Sequence, residues 1–375
     1  MAENAGDFST RIPRSSICRP DACRKGVPLA EIQINVPLAP RTTIGLGGSA
    51  SYYVDAVTDE DLLEALDFAR EKRLLIRILG GGSNVIFADA GFKGIVIHIY
   101  SRGVERLRES KEPLFRVRSG HPWDEFVAWS VEQNWAGVEC LSGIPGSTGG
   151  VPVQNVGAYG QEASDTLVSV RAYDIRAQLF AEIPAAKCEF GYRTSRFKHR
   201  DAGRFIITDV TFRLKDTPST PRYPELIRAM ESQASLAGAA ALRAAVLGLR
   251  QGKSMVYSPS DPDSKSCGSF FTNPVLSETA YAELCEKLKA RSIDLPQAYP
   301  QNGAVKVPAA FLIEKAGFVK GYESNGAGIS TKHALALVNR GCTSSALMEL
   351  AKQIQSEVRD RFGVSLEMEP EYIVV

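Results

Sequence analysis

The chain has 375 residues, with 44 Lys and Arg against 43 Asp and Glu and a formal net charge of +1, so no broad single-sign field surrounds it and a general nucleic-acid or polyanion binder is excluded. At 44% hydrophobic and 23% charged, the composition is that of an ordinary globular protein with material for two or three domains, which excludes disordered and fibrous classes. Glycine is unevenly placed: 17 of the 32 fall between Gly45 and Gly160, so that stretch needs backbone without side chains.

Residues 1–30 mix Arg, Ser, Pro and Asp without periodicity and read as a mobile extension. Thr58-Asp-Glu-Asp61 has the form of a helix start, and Leu62, Leu63, Leu66 and Ala69 follow at helical spacing, which predicts a helix over 59–73. The apolar run 74–79, the glycines and Ser-Asn of 80–84, and the β-branched segments after them predict strand, loop, strand. A second helix is expected over 123–134. Residues 141–162 hold six glycines and two prolines and read as a long loop. Strands are expected at 166–175 and 204–214, an Ala- and Leu-rich helix at 232–253, and a Pro/Ser/Asp-rich linker at 257–265. Helices at 278–290, 308–317 and 345–362, the last closed by Gly363, precede a final strand in LEMEPEYIVV.

Seven scattered cysteines (18, 23, 140, 188, 267, 285 and 342) make no disulfide framework, and Cys18 and Cys23 lack a second pair to complete a zinc site, so free thiols and no metal are expected. No run reaches the roughly 18 apolar residues of a membrane span. The expectation is a soluble, cytoplasmic protein with no membrane or nucleic-acid partner.

Consecutive glycines after a strand let main-chain N–H groups approach a ligand and form an anion-binding concavity. Gly80-Gly81-Gly82-Ser83-Asn84 lacks the Gly-Lys-Ser/Thr ending of a P-loop, and a strand instead of a helix follows it, so the dinucleotide fingerprint of a Rossmann fold fails too. Two such loops about sixty residues apart point to a nucleotide diphosphate held mainly by backbone. Simple tight turns are the bland alternative.

Several motifs occur in one order: Thr43-Ile-Gly45; Gly80-Gly81-Gly82-Ser83-Asn84; Ile144-Pro145-Gly146; Gln154-Asn155-Val156-Gly157-Ala158-Tyr159-Gly160; Gly191-Tyr192-Arg193-Thr-Ser-Arg-Phe197; Gly268-Ser269-Phe-Phe-Thr-Asn273-Pro274; and Glu369-Pro-Glu371. In these the chain resembles the UDP-N-acetylenolpyruvoylglucosamine reductase family, over about residues 33 to 375. The wider resemblance is to FAD proteins of the vanillyl-alcohol oxidase type. It implies an α+β fold with a two-part FAD-binding region at 31–252 and a smaller α/β substrate-binding domain at 253–375, whose last strand carries Glu371 back to the active site.

The resemblance also implies the ligands and their residues. FAD would be held non-covalently by Gly80, Gly81, Gly82, Ser83, Asn84, Ile144, Pro145, Gly146, Ser147, Gly149, Gln154, Asn155, Gly157, Ala158 and Tyr159. NADPH would reduce it, and the substrate would be a UDP-sugar bearing an enolpyruvyl ether. Hydride addition to that ether puts negative charge on the neighbouring carbon and carboxylate, which calls for preorganised positive charge and a proton donor. Arg193 would meet the carboxylate with a planar fork, Glu371 would partner it, and Ser269 would deliver the proton, with Cys267 a rival two residues away on the same face of an extended segment. Tyr192, Tyr223, Lys253 and Asn273 fall where this family meets the rest of the substrate. The Y-R-x-S-x-F-K-H form with a later Tyr resembles the first of the family's two types, although Thr272 stands where Lys is common. His199 and His333 read as structural, and a monomer is expected. The alternatives are another FAD oxidase of the same superfamily, with hydride flowing the other way, or a nucleotide-binding protein without chemistry.

Overall fold

A computed structural model of the chain describes residues 30–221, 223–231, 237–301 and 303–374. The extension expected over 1–30, including Cys18 and Cys23, lies outside them except for Ala30. The fold is α+β and divides into two compact units. Among the described residues the first holds those from Ala30 to Ile34, Tyr52–Gly81 and Gly94–Leu249; the second holds Asn35–Ser51, Gly82–Lys93 and those from Arg250 onward. The stretch expected as one region at 31–252 therefore gives two short segments to the second unit. The reason is apolar: Ile44, Leu46 and Ile86 are fully or nearly buried in that unit's core.

In the first unit, α1 (Asp59–Glu71) begins at a reciprocal cap in which Thr58 Oγ1 accepts the Asp61 N–H and the Asp61 carboxylate accepts that of Thr58. Its buried face, Leu62, Ala65, Leu66 and Ala69, packs with Val54, Ala56, Ile95, Ile97 and Ile99. Those residues belong to a four-stranded sheet in the order Gln33–Pro37, Ser49–Ala56, Phe92–Ile99, Leu75–Leu79, where the last two strands run parallel. A second, antiparallel sheet runs Leu179–Pro184, Leu167–Asp174, Phe205–Arg213, Leu114–Arg118, Val104–Arg106. Helix α2 (Trp123–Glu132) lays Trp123, Phe126 and Val127 against Phe115 and Phe212 of that sheet. Arg171 ties the layers by reaching both Asp59, at the start of α1, and Asp209. Two further helices follow, α3 (Pro224–Glu231) and α4 (Gly238–Gly252). The single helix expected at 232–253 is shorter at its start and is preceded by one that was not expected; residues 232–236 lie outside the description.

The second unit packs α5 (Glu278–Lys289), α6 (Ala309–Lys315) and α7 (Ser344–Phe362) around one apolar core. Helix α7 is capped by Thr343, whose Oγ1 accepts the Ala346 N–H, and by Asp89, which accepts the N–H groups of Ser344 and Ser345. It ends at Gly363 in the left-handed region, φ 74°. The last strand is shorter than expected, Glu371–Ile373, and pairs parallel with Val85–Phe87.

The linker expected at 257–265 is not a loose one. Asp263 and Ser264 are buried. Ser264 closes the turn onto Ser258 and Asp261, and Asp263 accepts from Thr331 N–H at 2.9 Å and pairs with Arg340. A Pro/Ser/Asp composition reads as a linker when its polar side chains have only water to meet; here they have buried partners. Burial pushes the Asp263 carboxyl up, but hydrogen bonds from Thr331 and the charge of Arg340 outweigh it and leave it below the ordinary 3.8. A folded value below the unfolded one stabilises the fold above about pH 4, and that contribution is lost as pH falls through the folded value. Asp263→Asn is expected to destabilise by on the order of 3 kcal/mol at neutral pH, leaving Arg340 without its ion-pair partner. Urea melts across a pH series check this: the gap to wild type narrows on acidification, and a gap independent of pH would assign the effect to packing alone.

Candidate active site

In the first unit the two glycine loops meet. The Gly81 N–H donates to Ser147 Oγ at 3.1 Å. A Cβ at Gly80 would lie 2.5 Å from Ser147 Oγ, and one at Gly81 would lie 2.5 Å from Gly146 Cα. At Gly81 the neighbour is main chain and no side chain fits, so the requirement there is close approach of backbone to backbone, whereas at Gly80 the Ser147 hydroxyl would have to swing aside. Gly146 itself has φ 123°, and its carbonyl accepts the N–H of Trp123 at the start of α2. The loop entry is fastened by Asp124: its Oδ1 accepts the Gly143 N–H at 2.6 Å while both oxygens pair with the Arg243 guanidinium of α4 at 2.6 and 2.9 Å.

Beside the second loop sit two polar atoms that sequence reasoning missed. Ser119 Oγ and His121 Nδ1 are buried and have no hydrogen-bond partner among the described residues. Their main-chain carbonyls accept the N–H groups of Gly149 and Thr148. Desolvation holds the His121 imidazole below its ordinary 6.5, with Glu125 opposing and Arg102 reinforcing the shift. Buried polar atoms left over beside loops that exclude side chains suit a polar, anionic ligand such as a diphosphate. The only signal for them in the sequence is their place just before α2.

Other candidates of this unit are joined through Asn155, which is fully buried. Its amide donates to Glu162 at 2.7 Å and to the Gly191 carbonyl at 3.1 Å, and its Oδ1 accepts the Ser164 N–H. Its side chain is thus committed to protein, and it fastens the second loop to the segment that carries Tyr192 and Arg193. Arg193 has φ 55°. Its guanidinium donates to the Gly157 carbonyl at 2.5 Å and stands 5.3 Å over the Tyr192 ring. A Cβ at Gly157 would lie 3.1 Å from Arg193 Nη1, so this glycine makes room for the guanidinium. Tyr159 meets Tyr223 edge-on, with ring centroids 6.4 Å apart.

In the second unit Ser269 and Glu371 come from segments that pair with one another. The Phe270 N–H donates to Leu335, the Glu369 N–H donates to the Phe270 carbonyl at 2.9 Å, and the Thr272 N–H donates to Glu367. Two residues on, the Glu371 N–H donates to the Asn84 carbonyl at 3.0 Å, and the Asn84 amide donates to the Glu369 carbonyl at 3.2 Å. The C-terminal motif is thereby fixed to the end of the first glycine loop. Cys267 and Ser269 do not share the face of an extended segment as expected, because Gly268 turns the chain at φ 74°. Cys267 is buried with its sulfur 3.9 Å from the Val85 carbonyl, and burial, reinforced by the Glu369 charge, pushes its thiol up to about 12. Ser269 is half-buried and Glu371 exposed. Asn273 Oδ1 accepts the Ala309 N–H at the start of α6, a helix-capping task. Lys253 directly follows α4 and is half-buried.

Residues 260–373 match the model of the UDP-N-acetylenolpyruvoylglucosamine reductase C-terminal domain, and residues 50–179 match an FAD binding domain. The chain is 47% identical over 352 residues to UDP-N-acetylenolpyruvoylglucosamine reductase of Thermobifida fusca, covering 91% of this chain and 98% of that one. The chain belongs to the UDP-N-acetylenolpyruvoylglucosamine reductase family. The reductase of Mycobacterium tuberculosis is 40% identical over 354 residues, covering 91% and 95% of the two chains. The crystal structure of the Thermus caldophilus reductase superposes with a TM-score of 0.61 at 24% identity, over 92% of this chain and 99% of that one, and supports the fold. Members of this family are oxidoreductases, which favours the reductase over a scaffold without chemistry. Among the described residues no helix is long and apolar enough to cross a membrane.

Burial predicts thiol reactivity in the native protein. Cys140, Cys188 and Cys267 are buried, with thiols pushed up to about 12, chiefly by desolvation. In native protein at pH 8, iodoacetamide is expected to leave these three unlabelled and to label half-exposed Cys285. Peptide mass mapping checks it; labelling of Cys267 at a rate matching Cys285 would return Cys267 to consideration as a proton donor.

Proposed function

We propose that this chain binds FAD non-covalently, accepts reducing equivalents from NADPH, and reduces the enolpyruvyl ether of UDP-N-acetylglucosamine enolpyruvate to the lactyl ether of UDP-N-acetylmuramate, for peptidoglycan synthesis. FAD supplies the hydride chemistry when bound; the residues of the chain bind, orient and protonate. The loops Gly80–Asn84 and Ile144–Gly149, with Gln154, Gly157, Ala158 and Tyr159, suit a diphosphate ligand because they present main-chain N–H groups where side chains are sterically excluded. In the second loop Asn155, besides lining the ligand, braces the loop against the segment of Tyr192 and Arg193.

Arg193 meets the substrate carboxylate. Its guanidinium is already oriented by the Gly157 carbonyl and the Tyr192 ring, so little rotamer freedom remains to be lost on binding. Glu371 partners Arg193 at the substrate carboxylate, where charge develops. Ser269 holds the proton at Oγ for delivery to the adjacent carbon. A hydroxyl is a weak acid, but an enediolate carbon is a strong base, so the transfer runs downhill. Tyr223 and Lys253 contact the uridine diphosphate portion and Asn273 lies close by. The observation that carries this reading is the pairing of the Ser269 and Glu369–Glu371 segments through the Phe270 carbonyl and Glu369 N–H. The same reading makes the protein a cytoplasmic monomer, in keeping with its sugar-nucleotide and nicotinamide ligands. Large exposed apolar side chains such as Ile34, Leu75, Val275 and Val319 are scattered over separate elements.

The purified protein is expected to be yellow, to bleach with NADPH and to regain its colour with the enolpyruvyl sugar nucleotide; no reoxidation by that substrate would sink the proposal. Ser269→Ala is expected to leave bleaching by NADPH unaffected and to slow reoxidation by roughly 10²–10⁴-fold, as followed by stopped-flow absorbance of each half-reaction. Equal slowing of both would make Ser269 a residue that places the flavin. Gly81→Ala, which forces Cβ against Gly146, is expected to yield folded but colourless protein, checked by its absorbance spectrum and circular dichroism.

A further inference from the structure

Glu139 is 0% exposed, and no cation pairs with it among the described residues. A lone buried carboxylate is costly unless its oxygens serve donors that have no other partner. Glu139 serves two main-chain donors from distant parts of the chain: Oε2 accepts the Gly137 N–H at 2.5 Å and Oε1 accepts the Ser219 N–H at 2.7 Å. Gln161, also buried, does the matching work, with Oε1 accepting the Cys140 N–H at 2.7 Å and Nε2 donating to Ser219 Oγ at 2.6 Å. Glu139 stands at the entry to the second glycine loop and Gln161 at its exit. Both converge on Ser219, four residues before Tyr223.

Beneath this junction Cys140 packs with Leu226 of α3 and with Leu242, Ala245 and Val246 of α4, and Tyr159 lies against the same cluster. The phenol of Tyr223 is therefore located relative to Tyr159 by three kinds of contact: the two hydrogen bonds at Ser219, the apolar cluster and the edge-on ring pair. The chemistry assigned to Arg193, Ser269 and Glu371 uses neither Glu139 nor Gln161.

We propose that Glu139 and Gln161 are positioning residues for substrate capture: by anchoring Ser219 to both ends of the second glycine loop, they hold Tyr223 at the distance from that loop which the sugar nucleotide requires. This rests on the assignment of Tyr223 as a substrate contact. It predicts a defect in substrate affinity that leaves reduction by NADPH intact, which general damage to the loop would not produce.

The test uses the flavin-loaded enzyme with Gln161→Met, which keeps side-chain volume and removes both bonds, and Ser219→Ala, which removes only the bond to Gln161. Glu139→Gln, the variant most exposed to misfolding, is the third. The expected result is a rise in KM for the enolpyruvyl sugar nucleotide of about tenfold for Gln161→Met, in keeping with the loss of bonds each worth about one kilocalorie, and a smaller rise for Ser219→Ala. The rate of flavin bleaching by NADPH stays within about twofold of wild type. Tyr223→Ala raises KM by itself, and Gln161→Met combined with it adds nothing further, because both act through one side chain. Additive effects in the double variant, or slowed bleaching in Ser219→Ala, would overturn the proposal while leaving the Tyr223 assignment standing. No change in KM for Tyr223→Ala would remove that assignment, and this inference with it.

Discussion

Gly81 and Gly146 lie so near each other that one added methyl group would collide with main chain. Much of the first unit's ligand-binding geometry depends on that approach. Two loops from separate parts of the sequence come into register only because both are stripped of side chains at the crossing, and the Gly81 N–H to Ser147 Oγ bond fixes where they cross. Successive main-chain N–H groups in such loops can supply positive potential without a formal charge. A protein with a net charge near zero can hold anionic ligands on such a surface with few lysines or arginines.

The second unit solves a different problem: how to hold the Ser269 segment and the C-terminal Glu369–Glu371 segment in fixed relation. It does so with main-chain bonds. The Phe270 carbonyl takes the Glu369 N–H, and the Asn84 carbonyl takes that of Glu371, so the backbones that carry Ser269 and Glu371 are fixed without calling on either side chain for these bonds. Gly268 separates Ser269 from buried Cys267 by turning the chain between them. The sulfur goes into the core and the hydroxyl does not.

Elements whose signals are local were legible in the sequence. The capping box at Thr58, the periodic apolar face of α7 and the glycine at its end all appear where expected, because each depends on neighbours within a few residues. Strands such as Leu114–Arg118 and Leu179–Pro184 escaped, since their arginines, glutamates and prolines dilute the alternation, and only pairing with distant strands defines them. The candidate site was legible through its motifs, but the hydrogen bonds made inside the motifs were not. Asn155 read as a ligand contact, and nothing in its motif announced that it also braces the loop; Asn273 likewise caps a helix. Ser119, His121 and Glu139 carry no motif at all. Their significance lies in burial and in which donors they face, and neither is written in one dimension.

Glycine-rich loops are ordinarily among the first parts of a protein to open. Here the Gly143 N–H is bound by a carboxylate that Arg243 grips with both nitrogens. Opening the loop entry by displacing Asp124 would also break this bidentate ion pair, which raises the cost of local opening above that of a loop held by its own bonds alone. A segment with the composition of a flexible linker is in this way tied to a helix about a hundred residues away in sequence.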